Sequence, residues 1–282
     1  MELWFTENHS DNVRFSIRVD RHIESVQSDF QKIDIFQTPE FGKVLVIDGY
    51  VMLTEKDEFI YHEMITHVPM AVNPNIKNIL VIGAGDGGTV RELTRYNSAE
   101  KIHMVEIDKK VVDVCIEHIP LTASKLNDNR VTLYFDDGLK FVKTKTNEYD
   151  LIIVDSTDPV GPGLELFTQE FYENCFAALK EDGILVNQHE SPYYKKEAEA
   201  MQRAHKKIKS VFPVARVYQA HIPTYGSGHW LFGFASKKYD PIGHLNDEAW
   251  NSLKLNTKYY NSALHKGAFA LPNYVIDLLN NA

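Results

Sequence analysis

Between residues 78 and 188 the chain repeats one pattern: a short apolar run without polar alternation, a turn rich in glycine or aspartate, then an amphipathic segment. The runs fall at 78–82, 102–106, 131–135, 150–154 and 184–188. A strand with no polar face must be buried on both sides. Such strands separated by helical segments, here 109–117, 169–179 and 195–211, predict a parallel sheet covered by helices on both faces. Two later runs, 215–222 and 230–235, read as an antiparallel hairpin at the edge of that sheet. Ahead of the repeat, runs at 13–19, 24–27, 32–36 and 43–47 are punctuated by Thr38-Pro39-Glu40-Phe41-Gly42 and Asp48-Gly49, the pattern of a small antiparallel unit. From Asp57 the period lengthens: Phe59, Ile60, Glu63, Met64 and His67 space as one helix, expected to stop before Pro69. The expected division is an N-terminal β domain at 1–53 and an α/β, doubly wound domain at 54–282.

Open sheets of this kind bind ligands beyond the carboxyl ends of their strands, so the residues after each run carry the functional reading. The first run ends in Gly83-Ala84-Gly85-Asp86-Gly87-Gly88, which satisfies G-x-G-x-x-G through Gly83, Gly85 and Gly88. A dinucleotide is the default reading, but Asp86 places a carboxylate where a pyrophosphate needs bare N–H groups. An uncharged or cationic ligand group suits Asp86 better; the plainer alternative is that it caps the following helix. Glu106, eighteen residues past Gly88, stands where a carboxylate accepts hydrogen bonds from both ribose hydroxyls, although acids after strands also cap helices. Asp137-Gly138 suits an adenine amino group, with glycine allowing close approach, or is an ordinary turn. Together these describe an adenosine pocket without a phosphate clamp, the S-adenosylmethionine type of site.

The fourth run ends in Asp155-Ser156-Thr157-Asp158-Pro159-Val160-Gly161-Pro162-Gly163. These are turn residues, but two acids directly behind a buried strand also make a concentrated negative patch. Asp86, Asp155 and Asp158 converging on one crevice suit an ammonium ligand and repel carboxylates.

Several classes are set aside on composition. With 30 basic and 39 acidic side chains the formal net charge is −9, against the clustered Lys and Arg that nucleic-acid binding needs. Cys115 and Cys175 have no CxxC partner and read as buried apolar residues in a reducing compartment. No basic leader or membrane-length apolar stretch is seen, so a cytoplasmic protein with no membrane association is expected. His62 and His67 are five apart, about 140° around a helix, which argues against a shared zinc; no metal is expected.

Four ordered motifs carry a resemblance. Asp57-Glu58-Phe59-Ile60-Tyr61-His62-Glu63-Met64, Gly83 to Gly88, Asp155 to Pro162, and Ile222-Pro223-Thr224-Tyr225 resemble those of spermidine synthases, the polyamine aminopropyltransferase family. The likeness runs from about Leu3 to the C-terminal Ala-Phe-Ala-Leu-Pro run. It implies a Rossmann-like methyltransferase-type domain, mostly parallel, carrying a small N-terminal β domain, and a homodimer or homotetramer. It implies no cofactor, decarboxylated S-adenosylmethionine being a co-substrate and putrescine the acceptor. By the family pattern Gln31, Gly83, Gly85, Glu106, Asp137, Gly138 and Pro162 hold the adenosyl part, and Asp86 meets the ammonium of the aminopropyl arm. Tyr61, His62, Asp158, Gln188 and Tyr225 line the polyamine channel, and Asp155 accepts the proton. The sequence departs at Ala84, where the family often has glycine, at His189-Glu190, and at Gly226-Ser227-Gly228-His229-Trp230.

The implied reaction is an alkyl transfer in which an amine attacks the propyl carbon bonded to a sulfonium, in line with the departing sulfur. A protonated amine has no lone pair, so a carboxylate must take its proton. Competing readings are a small-molecule methyltransferase on the same fold, a non-catalytic polyamine-binding protein, and an NAD-dependent dehydrogenase, which Asp86 disfavours. Cadaverine, agmatine and spermidine are alternative acceptors.

Overall fold

The computed structural model describes residues 2–156 and 166–282. Six antiparallel strands come first. β1 (Leu3–Ser10) pairs with β2 (Val13–Val19), and β3 (Arg21–Gln27), β4 (Lys32–Thr38), β5 (Gly42–Ile47) and β6 (Tyr50–Thr54) form a four-stranded sheet in sequence order. β1 and β6 are not among the runs read from the sequence. β1 leaves Leu3 and Trp4 half exposed, so burial imposes no apolar alternation on it. The inner face of the larger sheet, through Ile33, Ile35, Leu45, Ile47 and Leu53, joins the main core.

α1 (Glu58–Val72) is the next element, and every residue of it but Phe59 is buried. It does not stop before Pro69 but runs on for another turn. An interior proline forfeits one N–H bond and costs about 3 kcal/mol. Burying Met70 and Val72 contributes about 1.5–3 kcal/mol each, and the Asn73 N–H still closes the turn on the Pro69 carbonyl at 3.2 Å. Tertiary burial therefore overrides the local stop signal.

The second sheet has seven strands in the order β12-β13-β11-β10-β7-β8-β9. The parallel members are β7 (Asn78–Gly83), β8 (Lys101–Glu106), β9 (Val131–Phe135), β10 (Tyr149–Asp155) and β11 (Leu179–Gln188). β12 (Val214–His221) and β13 (His229–Ser236) form the antiparallel edge hairpin. Burial on both faces explains the unalternated runs. Ile79, Val81, Leu151 and Ile153 pack into one core with α1, α2 (Gly88–Leu93) and α3 (Lys109–His118). Leu80, Ile82, Ile152 and Val154 pack into another with α5 (Gly138–Lys143), α6 (Gln169–Ala178) and α7 (Lys195–Val211). Cys115 and Cys175 are buried, one in each core. Short α4 (Pro120–Ala123) follows α3. Among the described residues no helix is long and apolar enough to cross a membrane.

Past β13 the sequence reading assigns no elements, and the structure adds α8 (Asp247–Ser252), α9 (Ser262–Ala268) and α10 (Asn273–Asn280). Their connecting segment is held by one carboxylate. Buried Glu63 on α1 accepts the backbone N–H groups of Lys258 (2.8 Å), Tyr259 (2.7 Å) and Tyr260 (2.8 Å). Hydrogen bonds to a charged group contribute about 1.5–3 kcal/mol each, and a Gln carbonyl retains part of the set. Glu63→Gln is therefore expected to destabilise the protein by about 2–4 kcal/mol. That should lower the thermal midpoint by several degrees in circular dichroism; a midpoint within about 1 °C of wild type would remove Glu63 from this role.

Candidate active site

Chain order reverses between β7 and β10, whose neighbours are β8 on one side and β11 on the other. This is the crevice of an open α/β sheet. Gly83 pairs directly with Asp155. Its φ is +87°, and a Cβ there would stand 2.1 Å from the Asp155 carbonyl oxygen, so no side chain fits. That carbonyl also accepts the Ala84 N–H at 2.8 Å. Ala84 adopts a left-handed φ of 63°, which for a residue with a Cβ costs roughly 1–2 kcal/mol. The departure from glycine is thus accommodated with strain rather than without it.

One cavity receives the ends of all five parallel strands. Gly83, Gly85 and Asp86 line it after β7, Glu106 after β8, Asp137 and Gly138 after β9, Asp155 and Ser156 after β10, and Gln188 after β11. Tyr61 and His62 enter from α1, Gln31 from the loop before β4, and Tyr225 and Trp230 from the 222–230 segment. Every site residue read from the sequence lines this one cavity except Asp158 and Pro162, which lie outside the described residues.

Asp155 and Asp86 have different surroundings. The Asp155 carboxylate accepts the Tyr61 hydroxyl at 2.7 Å and the Thr89 hydroxyl at 2.6 Å. Burial, and then the neighbouring charge of Asp86, raise its pKa above the usual value. Burial also works against the Asp86 charge, but the His62 imidazolium prevails and holds its pKa low. Asp86 Oδ1 lies 3.2 Å from His62 Nε2 and accepts the Gly88 N–H at 2.8 Å. Asp86 thus satisfies one backbone N–H of the first turn of α2, whose N-cap position is Gly87, and also lines the cavity. His62 is buried, its Nδ1 2.6 Å from Glu58 Oε2, whereas His67 meets Glu92 (3.1 Å) and Tyr96 (2.7 Å). The two histidines serve separate carboxylates.

After β8 Glu106 Oε1 accepts the Asp108 N–H at 2.9 Å, and burial raises its pKa to about 7. Asp137 caps α5 through the Leu139 and Lys140 N–H groups. The glycine after it has a packing reason besides ligand access: a Cβ on Gly138 would stand 2.5 Å from the Ile82 side chain. Gln31 is fixed by donating to Asp108 Oδ2 at 3.0 Å, the same oxygen that accepts the Ser28 hydroxyl at 2.6 Å. On the other side Gln188 exchanges hydrogen bonds with Glu190, and Tyr225 donates to the Met52 carbonyl at 2.8 Å. Of the departing segments, Gly226 and Trp230 line the cavity, while His229 bonds to Tyr274 and Gln219 instead. Sequence reasoning missed Thr89, Glu58 and Arg91 as partners of the site. Thr89 directly follows the glycine loop and Glu58 stands within the α1 motif, so both were within reach.

A glycine loop and strand-end carboxylates gathered on the crevice of a mostly parallel sheet define a Rossmann-like enzyme with a small-molecule site. The chain belongs to the spermine/spermidine synthase family. Residues 58–245 match the spermine/spermidine synthase domain and residues 3–55 the spermidine synthase tetramerisation domain, which supports oligomerisation. It is 72% identical over 279 residues to the polyamine aminopropyltransferase of Alkaliphilus oremlandii, covering 99% of this chain and 98% of that one. It is 71% identical over 281 residues to that of Clostridium perfringens, covering 100% and 99%. A crystal structure of spermidine synthase with the transition-state analogue AdoDATO superposes with a TM-score of 0.96 at 43% identity, over 99% of this chain and 96% of that one. Spermidine synthase from Thermotoga maritima gives 0.95 at 42%, over 99% and 95%. The chain is an aminopropyl-transferring enzyme, and the methyltransferase and non-catalytic readings fall away.

The Glu106 environment makes a direct prediction. In carboxyl-carbon NMR, one glutamate is expected to titrate near pH 7 and to vanish in Glu106→Gln. A Glu106 midpoint at the ordinary value of 4.5 would mean that water reaches the carboxyl.

Proposed function

We propose that this aminopropyltransferase uses decarboxylated S-adenosylmethionine as donor and putrescine as acceptor, giving spermidine and 5′-methylthioadenosine. The observation that carries the reading is the pair Asp86 and Asp155, two carboxylates in different surroundings on one cavity that also holds Glu106. Glu106 accepts the ribose hydroxyls, Asp137 and Gly138 meet the adenine, and Gln31 closes the pocket from the N-terminal sheets. Pro162 and Asp158 are assigned to the adenine and amine sides on the family pattern. Asp86 faces the ammonium of the aminopropyl arm and disfavours a donor that keeps its α-carboxylate. Tyr61, His62, Gln188 and Tyr225 wall the amine channel.

The chemistry balances without a cofactor. The amine nitrogen forms a bond to the propyl carbon, the carbon–sulfur bond breaks with its electron pair going to sulfur, and methylthioadenosine leaves neutral. One amine proton passes to Asp155, whose raised pKa suits a group that must accept it. Holding the two reactants in line supplies on the order of 7–11 kcal/mol. The protein acts in the cytoplasm as a homodimer or homotetramer.

Mass spectrometry of reactions containing putrescine and either decarboxylated or ordinary S-adenosylmethionine tests the assignment. Spermidine and methylthioadenosine from the decarboxylated donor alone are expected; preferred consumption of cadaverine or agmatine would overturn the acceptor. Asp155→Asn should lower kcat about 10²–10⁴-fold with donor binding intact. Near-normal turnover would remove Asp155 from the base role. Because the ribose hydroxyls bind ionised Glu106, donor affinity should fall about tenfold per unit as pH drops below about 7 and level off above it. Calorimetric titration with methylthioadenosine checks the slope, and a flat profile would sever Glu106 from the ribose.

A further inference from the structure

Four alternating charges run from the surface of α2 into the cavity. The Arg91 guanidinium forks onto Glu58, Nη1 to Oε1 and Nη2 to Oε2, both at 2.9 Å. Glu58 Oε2 lies 2.6 Å from His62 Nδ1, one turn along α1, and His62 Nε2 lies 3.2 Å from Asp86 Oδ1. Each ring nitrogen of His62 thus faces a carboxylate oxygen, which only accepts. A neutral imidazole has one N–H, so satisfying both carboxylates requires the doubly protonated ring. Its packing leaves little freedom: a Cβ on Gly88 would stand 2.3 Å from the ring. The same Gly88 donates its N–H to Asp86 Oδ1, so both contacts converge on that oxygen of a residue that lines the cavity.

We propose that Arg91, Glu58 and His62 form a buried charge relay that holds Asp86 as a fixed anion and leaves Asp155 as the carboxylate that exchanges a proton during turnover. The inference rests on the proposed function for the role of Asp155; the relay itself rests on the geometry. His62, Glu58 and Arg91 are positioning residues that act through Asp86. The surroundings agree. Burial opposes the His62 charge, yet Asp86 and Glu58 raise its pKa to about 10. Asp86 faces His62 on α1 and Arg91 on α2, with Cys115 of α3 and Tyr61 also within its field. Asp155 faces Asp86, His62, Thr89 and Tyr61, and its charge reaches Glu106. Acid–base pairs at one site are set apart by such unequal environments.

Two measurements on the full-length protein test this. Nitrogen NMR of histidine-labelled wild type at pH 8 should show His62 with both ring nitrogens protonated, and deprotonation near pH 10. A neutral ring at pH 8 would overturn the relay whatever the enzyme's substrates are. In His62→Gln the cation is lost, the amide satisfies one carboxylate only, and the charge that lowers the Asp155 pKa disappears. The acid limb of kcat for aminopropyl transfer should then move up by about one pH unit, so that activity at pH 6 relative to pH 8 falls further than in wild type. An unmoved acid limb with normally folded protein would overturn the proposal, since a merely structural role lowers activity evenly across pH. Should His62→Gln not fold, Glu58→Gln serves: losing one of its two anions, His62 should titrate at least one unit lower. An unchanged midpoint there would equally overturn the relay. Absence of aminopropyl transfer in wild type would instead count against the proposed function and leave the NMR result standing.

Discussion

The parallel pairing of β7 with β10 is the constraint on which the rest of the site depends. Gly83 and Asp155 are register partners, and the Asp155 carbonyl takes the Ala84 N–H where the glycine loop begins. The two strand ends could not lie so close if position 83 carried a side chain. That closeness brings Asp86, three residues past one strand end, onto the same cavity as Asp155 at the other. Burial, and then repulsion between the two carboxylates meeting in this crevice, raise the Asp155 proton affinity. The apolar runs on both faces of the sheet make the pairing rigid enough to bear that repulsion.

α1 is the second organising element, and it connects the fold to the chemistry residue by residue. Tyr61 and His62 reach the cavity, Glu63 anchors the C-terminal segment, and Met64 and Ile65 fill the core. The carbonyl of Met64 accepts the Tyr218 hydroxyl from β12, so both the edge hairpin and the C-terminal tail are tied to this helix. A helix with so many buried partners tolerates Pro69 because its stability comes from packing and not from propensity.

The features legible in the sequence are those that burial writes into composition. The parallel strands are unalternated because both faces are covered, and the acids after them are visible because a buried run ends abruptly in charge. Ala84 and Gly138 mark the limit of that reading. A left-handed alanine and a glycine demanded by Ile82 both depend on distances between segments far apart in the chain. β1 is hidden for the opposite reason: its exposed Leu3 and Trp4 are under no burial constraint. Arg91 carried no signal as a site residue because it contributes through Glu58, and only the fork between them at 2.9 Å reveals it.

The acids of the cavity are unevenly paired. From Arg91 through Glu58 and His62 to Asp86 the charges alternate and cancel, so each buried ion has an opposite neighbour. Among the described residues Asp155 accepts from hydroxyls and Glu106 from backbone N–H groups, and burial raises the pKa of both. A dicationic donor with a cationic amine supplies the missing charge, so the substrates proposed here themselves favour ionisation of the base that acts on them. In the proposed reaction transfer then reverses the balance: sulfur departs neutral and Asp155 takes up a proton. On that proposal the product amine is left facing one fixed anion, Asp86, in place of two. Charge complementarity is therefore greatest before reaction and falls as it proceeds, which disfavours retention of both products.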